Sequence, residues 1–230
     1  MNRRLYAVSP DPSCNPSDIT ILNEQQALED GKWLRRRVKV TEDSQPFFIG
    51  NPEFKEKLQL KVGVIARRHL DIYGFDRFFI SNRVKYFLED IDRAAFEFTE
   101  CAAFDKSGRA IEPYWLMSII RIVNKFDEEK SNFITYAERN PEDPEASSNP
   151  AISVLNDIYL DENFPKNYHA FYFNRYRNEF IFDETIVDAW RRQKFSGAFF
   201  TPLQRPVKED KKRMFYFSNW SFWENDSEVL

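Results

Sequence analysis

Phe79–Cys101, FISNRVKYFLEDIDRAAFEFTEC, and Ile181–Leu203, IFDETIVDAWRRQKFSGAFFTPL, align without a gap at an offset of 102 residues. Each copy opens on an apolar pair followed by a residue that caps helices, Ser81 or Asp183. An amphipathic stretch follows, then a small residue, Ala95 or Gly197, then an aromatic run. Val84, Phe87, Leu88 and Ile91 fall at helical spacing, and Phe96 and Phe98 alternate as a strand requires. In the second copy Ile186, Val187, Ala189 and Trp190 line the inner helix face. Gly197 is expected to end that helix in the left-handed conformation, with Ala198–Phe200 returning as a strand. The pattern predicts a duplicated strand–helix–strand scaffold. Neither copy shows a catalytic nucleophile motif, a metal-ligand pair or a phosphate loop, which suits a binding protein better than an enzyme.

Outward from the two copies, Arg4–Val8 (RLYAV) reads as a first strand, and Pro10, Pro12 and Pro16 then break regular structure. A short helix is expected around Glu24–Leu28, and a strand over Trp33–Val40. Gln45–Pro52 reads as a turn-rich connector, Phe54–Leu70 as helical or mixed, and Asp76–Ile80 as a strand entry. Tyr114–Val123 (YWLMSIIRIV) has the density of a buried central strand, with Asn132–Tyr136 as its neighbour. Ile152–Leu160 and part of Tyr168–Tyr176 read as further strands. The fold class expected is α+β, with mixed sheets and two pseudo-repeated lobes. The lobes are residues 1–136 and 151–230, and residues 137–150 are an exposed, acidic, proline-rich linker loop.

The chain of 230 residues has room for one domain, or for two small lobes sharing a core. Its 23 phenylalanines supply a large apolar area despite 30% charged residues. Six glycines leave little for phosphate-cradling loops. The net charge of −4 disfavours non-specific attraction to nucleic acid. Cys14 and Cys101 form no CxxC or Cys/His cluster, and no apolar run reaches signal-peptide or membrane-span length. The expectation is a cytoplasmic protein with reduced thiols, no membrane contact, and no cofactor or metal.

Candidate chemistry is sparse. His69 precedes Asp71 by two residues, and His169 sits among aromatics; both read as structural or surface residues. Glu53–Phe54–Lys55 matches the Glu-x-Lys end of a nuclease motif, without a well-placed aspartate. Binding candidates are clearer. Glu138, Glu142, Asp143 and Glu145 crowd the acidic loop, and Trp220, Trp223 and Glu224 sit in an aromatic C-terminal segment. Trp is a common interface anchor. Lys208, Lys211, Lys212 and Arg213 precede that segment, which leaves open an adaptor that binds protein or nucleic acid there.

FFISNRVKYFLEDIDRAAFEF resembles the strand–Ser-Glu-Arg–helix–strand signature of a family of bacterial immunity proteins, long known only as a domain of unknown function. YWLMSIIRIVNKFD is similar to the strand that follows in that family. NEFIFDETIVDAWRRQKFSGAFFTPL resembles its C-terminal repeat, and RRLYAVSPD its opening strand. The likeness runs from Leu5 to Leu203; it departs at Asn82, where the family usually has Glu, and at Asp183–Glu184–Thr185. The resemblance implies a non-enzymatic protein that neutralises a polymorphic toxin, including effectors delivered by type VI secretion. Its partner would be one cognate toxin domain, whose active site or substrate access it occludes. The acidic balance adds the expectation of a basic, nuclease-type toxin. No catalytic residue is implied.

Overall fold

Both copies of the repeated segment fold as strand, helix, strand. The computed structural model describes residues 3–11, 19–28, 33, 36–38, 47–64, 69–74, 77–124, 126–135, 138, 142 and 151–204. In the first copy, β7 (Phe78–Ser81) leads into α2 (Asn82–Asp92), a 3-10 turn at Arg93–Ala95 and β8 (Phe96–Phe104). In the second, β14 (Tyr176–Asp183) leads into α3 (Glu184–Arg192) and β15 (Ala198–Pro202). The caps act as expected. Ser81 Oγ accepts from the Val84 amide at 3.4 Å, and Asp183 Oδ1 from the Thr185 and Ile186 amides at 3.0 and 3.3 Å.

The two strands of each copy do not pair with each other. β9 (Ala110–Ile119) lies between β7 and β8, antiparallel to both. β1 (Leu5–Pro10) lies between β14 and β15 in the same way. The remaining described elements are β2 (Ile19–Ile21), α1 (Glu24–Ala27), β3 (Arg36–Val38), β4 (Phe47–Ile49), β5 (Gln59–Val62), β6 (Ile72–Gly74), β10 (Ile122–Val123), β11 (Asn132–Thr135), β12 (Ile152–Asp157) and β13 (Ala170–Phe173). A six-stranded sheet runs β2-β5-β8-β9-β7-β6, and a five-stranded sheet runs β10-β13-β14-β1-β15. Both are mixed, through the parallel pairs β5–β8 and β10–β13. β3–β4 and β11–β12 form separate two-stranded ribbons. The fold is mixed α+β with two principal sheets. Sheet membership does not follow chain order, since β1 and β10 precede residue 137 yet lie with β13–β15.

The facing sides of the sheets and both helices share one core. Val84 and Leu88 of α2 and Ile186, Val187 and Trp190 of α3 are buried there, with Phe78, Phe96 and Met117 from one sheet and Tyr6, Phe182 and Phe200 from the other. Phe78 meets Phe180 at 4.7 Å between ring centroids, and Phe96 meets Phe182 edge-on at 6.0 Å. Side chains of this size each contribute roughly 1.5–3 kcal/mol on burial. The outer face of each sheet carries a second core, around Leu60, Tyr73 and Tyr114 on one and Leu5, Phe171 and Ile181 on the other.

Several elements differ from expectation for local reasons. Within Phe54–Leu70 the described part has no helix but the strand β5. Leu58, Leu60 and Val62 are buried while Gln59 and Lys61 are exposed, which is a period of two. The Gln45–Pro52 connector contains β4, paired with β3. Tyr114–Val123 is not one strand. It breaks after Ile119, where Ile120 donates to the Ala95 carbonyl, and β10 joins the other sheet. β11 pairs with β12 rather than with that segment.

Gly197 does not end α3. The left-handed residue after that helix is Lys194, at φ 53°. Phe195 N donates to Trp190 O at 3.3 Å and Lys194 N to Arg191 O at 3.0 Å, and the Phe195 ring packs on Trp190 at 5.2 Å. That is a Schellman end with its usual hydrophobic contact, built on lysine where glycine is common. Gly197, at φ 93°, has another role. A Cβ there would lie 2.1 Å from the Ile72 carbonyl oxygen, so only glycine lets the start of β15 meet β6.

Two substitutions separate these roles. Lys194→Gly relieves a left-handed cost of roughly 1–2 kcal/mol against a glycine entropy cost of roughly 0.5–1 kcal/mol. It should raise stability in urea unfolding by about 0.5–1 kcal/mol. Gly197→Ala should lower it by at least about 2 kcal/mol. A neutral Gly197→Ala would show that the close approach is not required.

Candidate protein-binding surface

The two histidines are built into the framework. His69 Nδ1 lies 2.9 Å from the Gly63 carbonyl, which also accepts from the Tyr73 hydroxyl at 2.9 Å. His169 Nδ1 lies 2.9 Å from Asp183 Oδ2. Asp183 is fully buried, and besides capping α3 it meets Arg3 Nη1 at 3.2 Å. Its carboxylate therefore holds a helix start, the chain's first described strand and the His169 ring together.

Asp92, the last residue of α2, does the same from the other side of His169. It accepts from both terminal nitrogens of Arg121, with Nη2 at 2.8 Å, and from the amides of His169 and Ala170 at 2.8 and 3.3 Å. The Arg121 guanidinium lies 4.0 Å over the Tyr168 ring. Asp71 is the third such residue. Its Oδ1 accepts from Ser81 Oγ at 3.0 Å, and its Oδ2 from the Ser196 amide and hydroxyl at 3.0 and 3.1 Å. Burial pushes the Cys101 thiol up to about 12 and raises Tyr114 well above the usual phenol range, so neither is poised to react at neutral pH. Among the described residues no group of three or more His, Cys, Asp or Glu is placed to hold a metal ion. Glu53 and Lys55 are exposed beside the isolated Leu28–Phe54 bridge.

The surface is more informative than the interior. Thr135 pairs with Ile152, so the acidic loop joins the two strands of the β11–β12 ribbon. Glu138 Oε2 accepts from the Thr135 amide and hydroxyl at 2.6 and 2.8 Å, and the Glu138 amide reaches back to Thr135 Oγ1 at 3.3 Å, a reciprocal box of the kind that opens helices. The Thr135 amide, and then its hydroxyl, hold the Glu138 carboxyl below its usual pKa. Glu142 is exposed; Asp143, Glu145, Trp220, Trp223 and Glu224 lie outside the described residues. Glu128 and Glu129 are also exposed, on the turn just before the ribbon.

A second surface was not singled out in the sequence. Tyr86, on the outer face of α2, is 59% exposed. Beside it the Lys85 ammonium lies 4.7 Å from both the Tyr86 and Trp115 rings and pairs with Glu89 at 2.7 Å. Trp115 Nε1 donates to Asn82 Oδ1 at 2.7 Å. One turn back, the side chain of Arg83 is 62% exposed, donates to the Gln193 carbonyl at 3.4 Å and lies 5.0 Å over Phe195. This brings the start of α2 against the end of α3, where Arg192, Gln193 and Lys194 are exposed. The signal available in the sequence was Tyr86 itself. Positions 84, 87, 88 and 91 define the inner face, and 86 is a large aromatic opposite to it.

A shallow cleft lined by Trp33, Asn51, Arg77, Ser118 and Phe180 is already satisfied internally. Ser118 Oγ donates to Asn51 Oδ1 at 2.7 Å, Asn51 Nδ2 reaches the Leu116 carbonyl at 3.1 Å, and Arg77 stacks on Trp33 at 3.9 Å.

The described residues form an α+β framework closed by buried carboxylates, with aromatic and charged side chains exposed on its helices. Over residues 5–205 the chain matches the immunity protein family Imm11, and it belongs to that family. The family comprises immunity proteins, the toxin inhibitors of polymorphic toxin systems. No curated protein matches the chain.

The Asp92 cluster gives a direct stability test. Asp92→Ala would leave Arg121 and two amides in the core region without their acceptor. It should cost about 3 kcal/mol or more in urea unfolding. A loss below about 1 kcal/mol, the range of an exposed pair, would mean that solvent reaches these groups.

Proposed function

We propose that this chain is a cytoplasmic immunity protein that binds one cognate bacterial toxin domain and neutralises it by covering the active site or the approach of its substrate. The observation that carries this reading is the Imm11 match across residues 5–205, which includes both copies of the strand–helix–strand segment. We read those copies as a duplication, since each is two strands and a helix with an antiparallel strand inserted between the two strands. The chain inhibits by binding and not by catalysis. His69 and His169, its most chemically versatile side chains, being tied into the framework, supports this.

The net charge of −4 favours a basic, nuclease-type toxin. Glu138, Glu142, Asp143 and Glu145 are the contacts proposed on the acidic loop, and Trp220, Trp223 and Glu224 those in the C-terminal segment. The exposed position of Glu142 at the end of the β11–β12 ribbon fits that role. Glu138 is the weaker contact, because Thr135 already holds its carboxylate.

Co-expression with the toxin encoded beside this chain in a heterologous bacterium tests the reading. The expected result is restored growth and a complex that co-purifies. Killing that persists with no complex would refute it. Within a working pair, changing Glu142, Asp143 and Glu145 together to Lys should weaken binding by about tenfold or more at low salt, and less at high salt. Equal affinity for both proteins at every salt concentration would remove the loop from the interface.

A further inference from the structure

We infer that the outer corner formed by the start of α2 and the end of α3, carrying Arg83, Tyr86, Arg192 and Lys194, is a docking surface for a carboxylate-bearing patch of the cognate toxin. This rests on the immunity reading above and adds where and by what chemistry the toxin is held. The corner is cationic in a chain that is acidic overall. Arg192 and Lys194 are exposed, and neither meets a carboxylate among the described residues. Arg83 reaches Asp71 only at 3.7 Å and keeps most of its side chain in solvent. The carboxylate it approaches is already held by Ser81 and Ser196. Its guanidinium is propped in place from below by the Phe195 ring and by the Gln193 carbonyl. A planar cation fixed in this way is preorganised for a carboxylate.

Tyr86 supplies the apolar part. It stands one helical turn from Arg83, so the two side chains share one face. The Lys85 ammonium beside its ring is itself held by Trp115 and Glu89, and Trp115 in turn by Asn82. An exposed Tyr beside Arg on a rigid helix is the composition of an interface anchor.

Lys194 supplies an independent observation. It occupies the left-handed position of the Schellman end, where glycine would cost less. Its side chain has no hydrogen bond, ion pair or ring contact among the described residues to offset this cost. Strain of this kind collects at recognition sites, and here it falls on an exposed lysine that directly follows Gln193, the residue whose carbonyl holds Arg83. Three cations and one tyrosine are few for a nucleic-acid track, and the chain's net charge opposes one. A protein carboxylate patch matches the size and sign of the corner.

The test uses the full-length chain and the purified toxin domain encoded beside it, measured by titration calorimetry and by growth rescue. Three variants are compared: Arg83→Glu with Lys194→Glu, Tyr86→Ala, and Lys194→Gly. The double reversal should weaken binding by about a hundredfold and Tyr86→Ala by about tenfold. Tyr86→Ala should leave the melting temperature of the free protein unchanged, whereas Arg83→Glu sets a carboxylate against Asp71 and should lower it, so binding is measured well below the transition of every variant. Lys194→Gly separates binding from folding: it should stabilise the chain yet weaken the complex severalfold. If all three variants bind and rescue like the parent chain, this surface is overturned while the immunity reading stands. If the parent chain neither binds nor rescues, the immunity reading falls and the surface with it. If the double reversal abolishes binding to total bacterial RNA and leaves toxin binding intact, the corner is a nucleic-acid site and the proposal is wrong.

Discussion

Three buried carboxylates decide how the two sheets sit on each other. Asp71 lies near the start of α2 and Asp92 at its end, and both reach across to the five-stranded side, to Ser196 and to His169–Ala170. Asp183 caps the second helix and gathers Arg3 and His169. Hydrophobic burial is non-directional, so the phenylalanines of the shared core would tolerate a rotation of one sheet over the other. Backbone amides donating to a fixed carboxylate do not. Each carboxylate is costly to desolvate and is stable only with its donors in place. Sheets, helices and carboxylates are therefore one cooperative arrangement, and the outer helix faces inherit its rigidity.

Asp92 shows how much of this was legible. A carboxylate on the last residue of a helix faces the negative end of the helix dipole and is normally disfavoured. Its presence in LEDIDRAAF was a sign of a tertiary partner, but nothing local named Arg121 or the amides after Tyr168. Local features were readable because local chemistry sets them. Ser81 and Asp183 cap helices by their own side chains, and the inner faces of α2 and α3 follow from spacing. Residues inserted from far away were not readable. β1 enters between β14 and β15 from the opposite end of the chain, and no periodicity encodes a partner separated by that distance.

The same distinction explains the errors at glycine and in the middle of the chain. Gly197 looked like a helix end because glycine usually serves there, yet its role depends on the Ile72 carbonyl, which belongs to another sheet. Lys194 was invisible as the true end, since lysine carries no left-handed preference. The Tyr114–Val123 run is uniformly apolar, and uniform runs hide breaks. The change of sheet at Ile120–Arg121 is set by hydrogen bonds to Ala95 and to Asp92. For the candidate surfaces, composition pointed to the acidic loop, because Glu138, Glu142, Asp143 and Glu145 crowd one short stretch. The corner at Arg83 and Lys194 is 111 residues apart in sequence and needed the fold to assemble it.

Opposite charges at separate places on one chain divide the work of recognition by distance. At physiological ionic strength charges are screened over about 8 Å, so the overall acidity would act on an approaching partner mainly through exposed carboxylates near the point of approach. On the binding mode proposed above, the Arg83 corner would act only after contact, when water is excluded and a carboxylate can meet a guanidinium held by Phe195 and Gln193. On that proposal, long-range attraction by acidic side chains tolerates many basic partners, whereas a cation held beside a tyrosine accepts few. On the binding mode proposed above, encounter rate and selectivity are then set by different residues. Substitutions in the loop would alter the speed of association, and substitutions at the corner the lifetime of the complex. A protein that must neutralise one toxin and ignore its relatives gains from that separation, because selectivity can change at the corner without loss of the charge that draws the partner in.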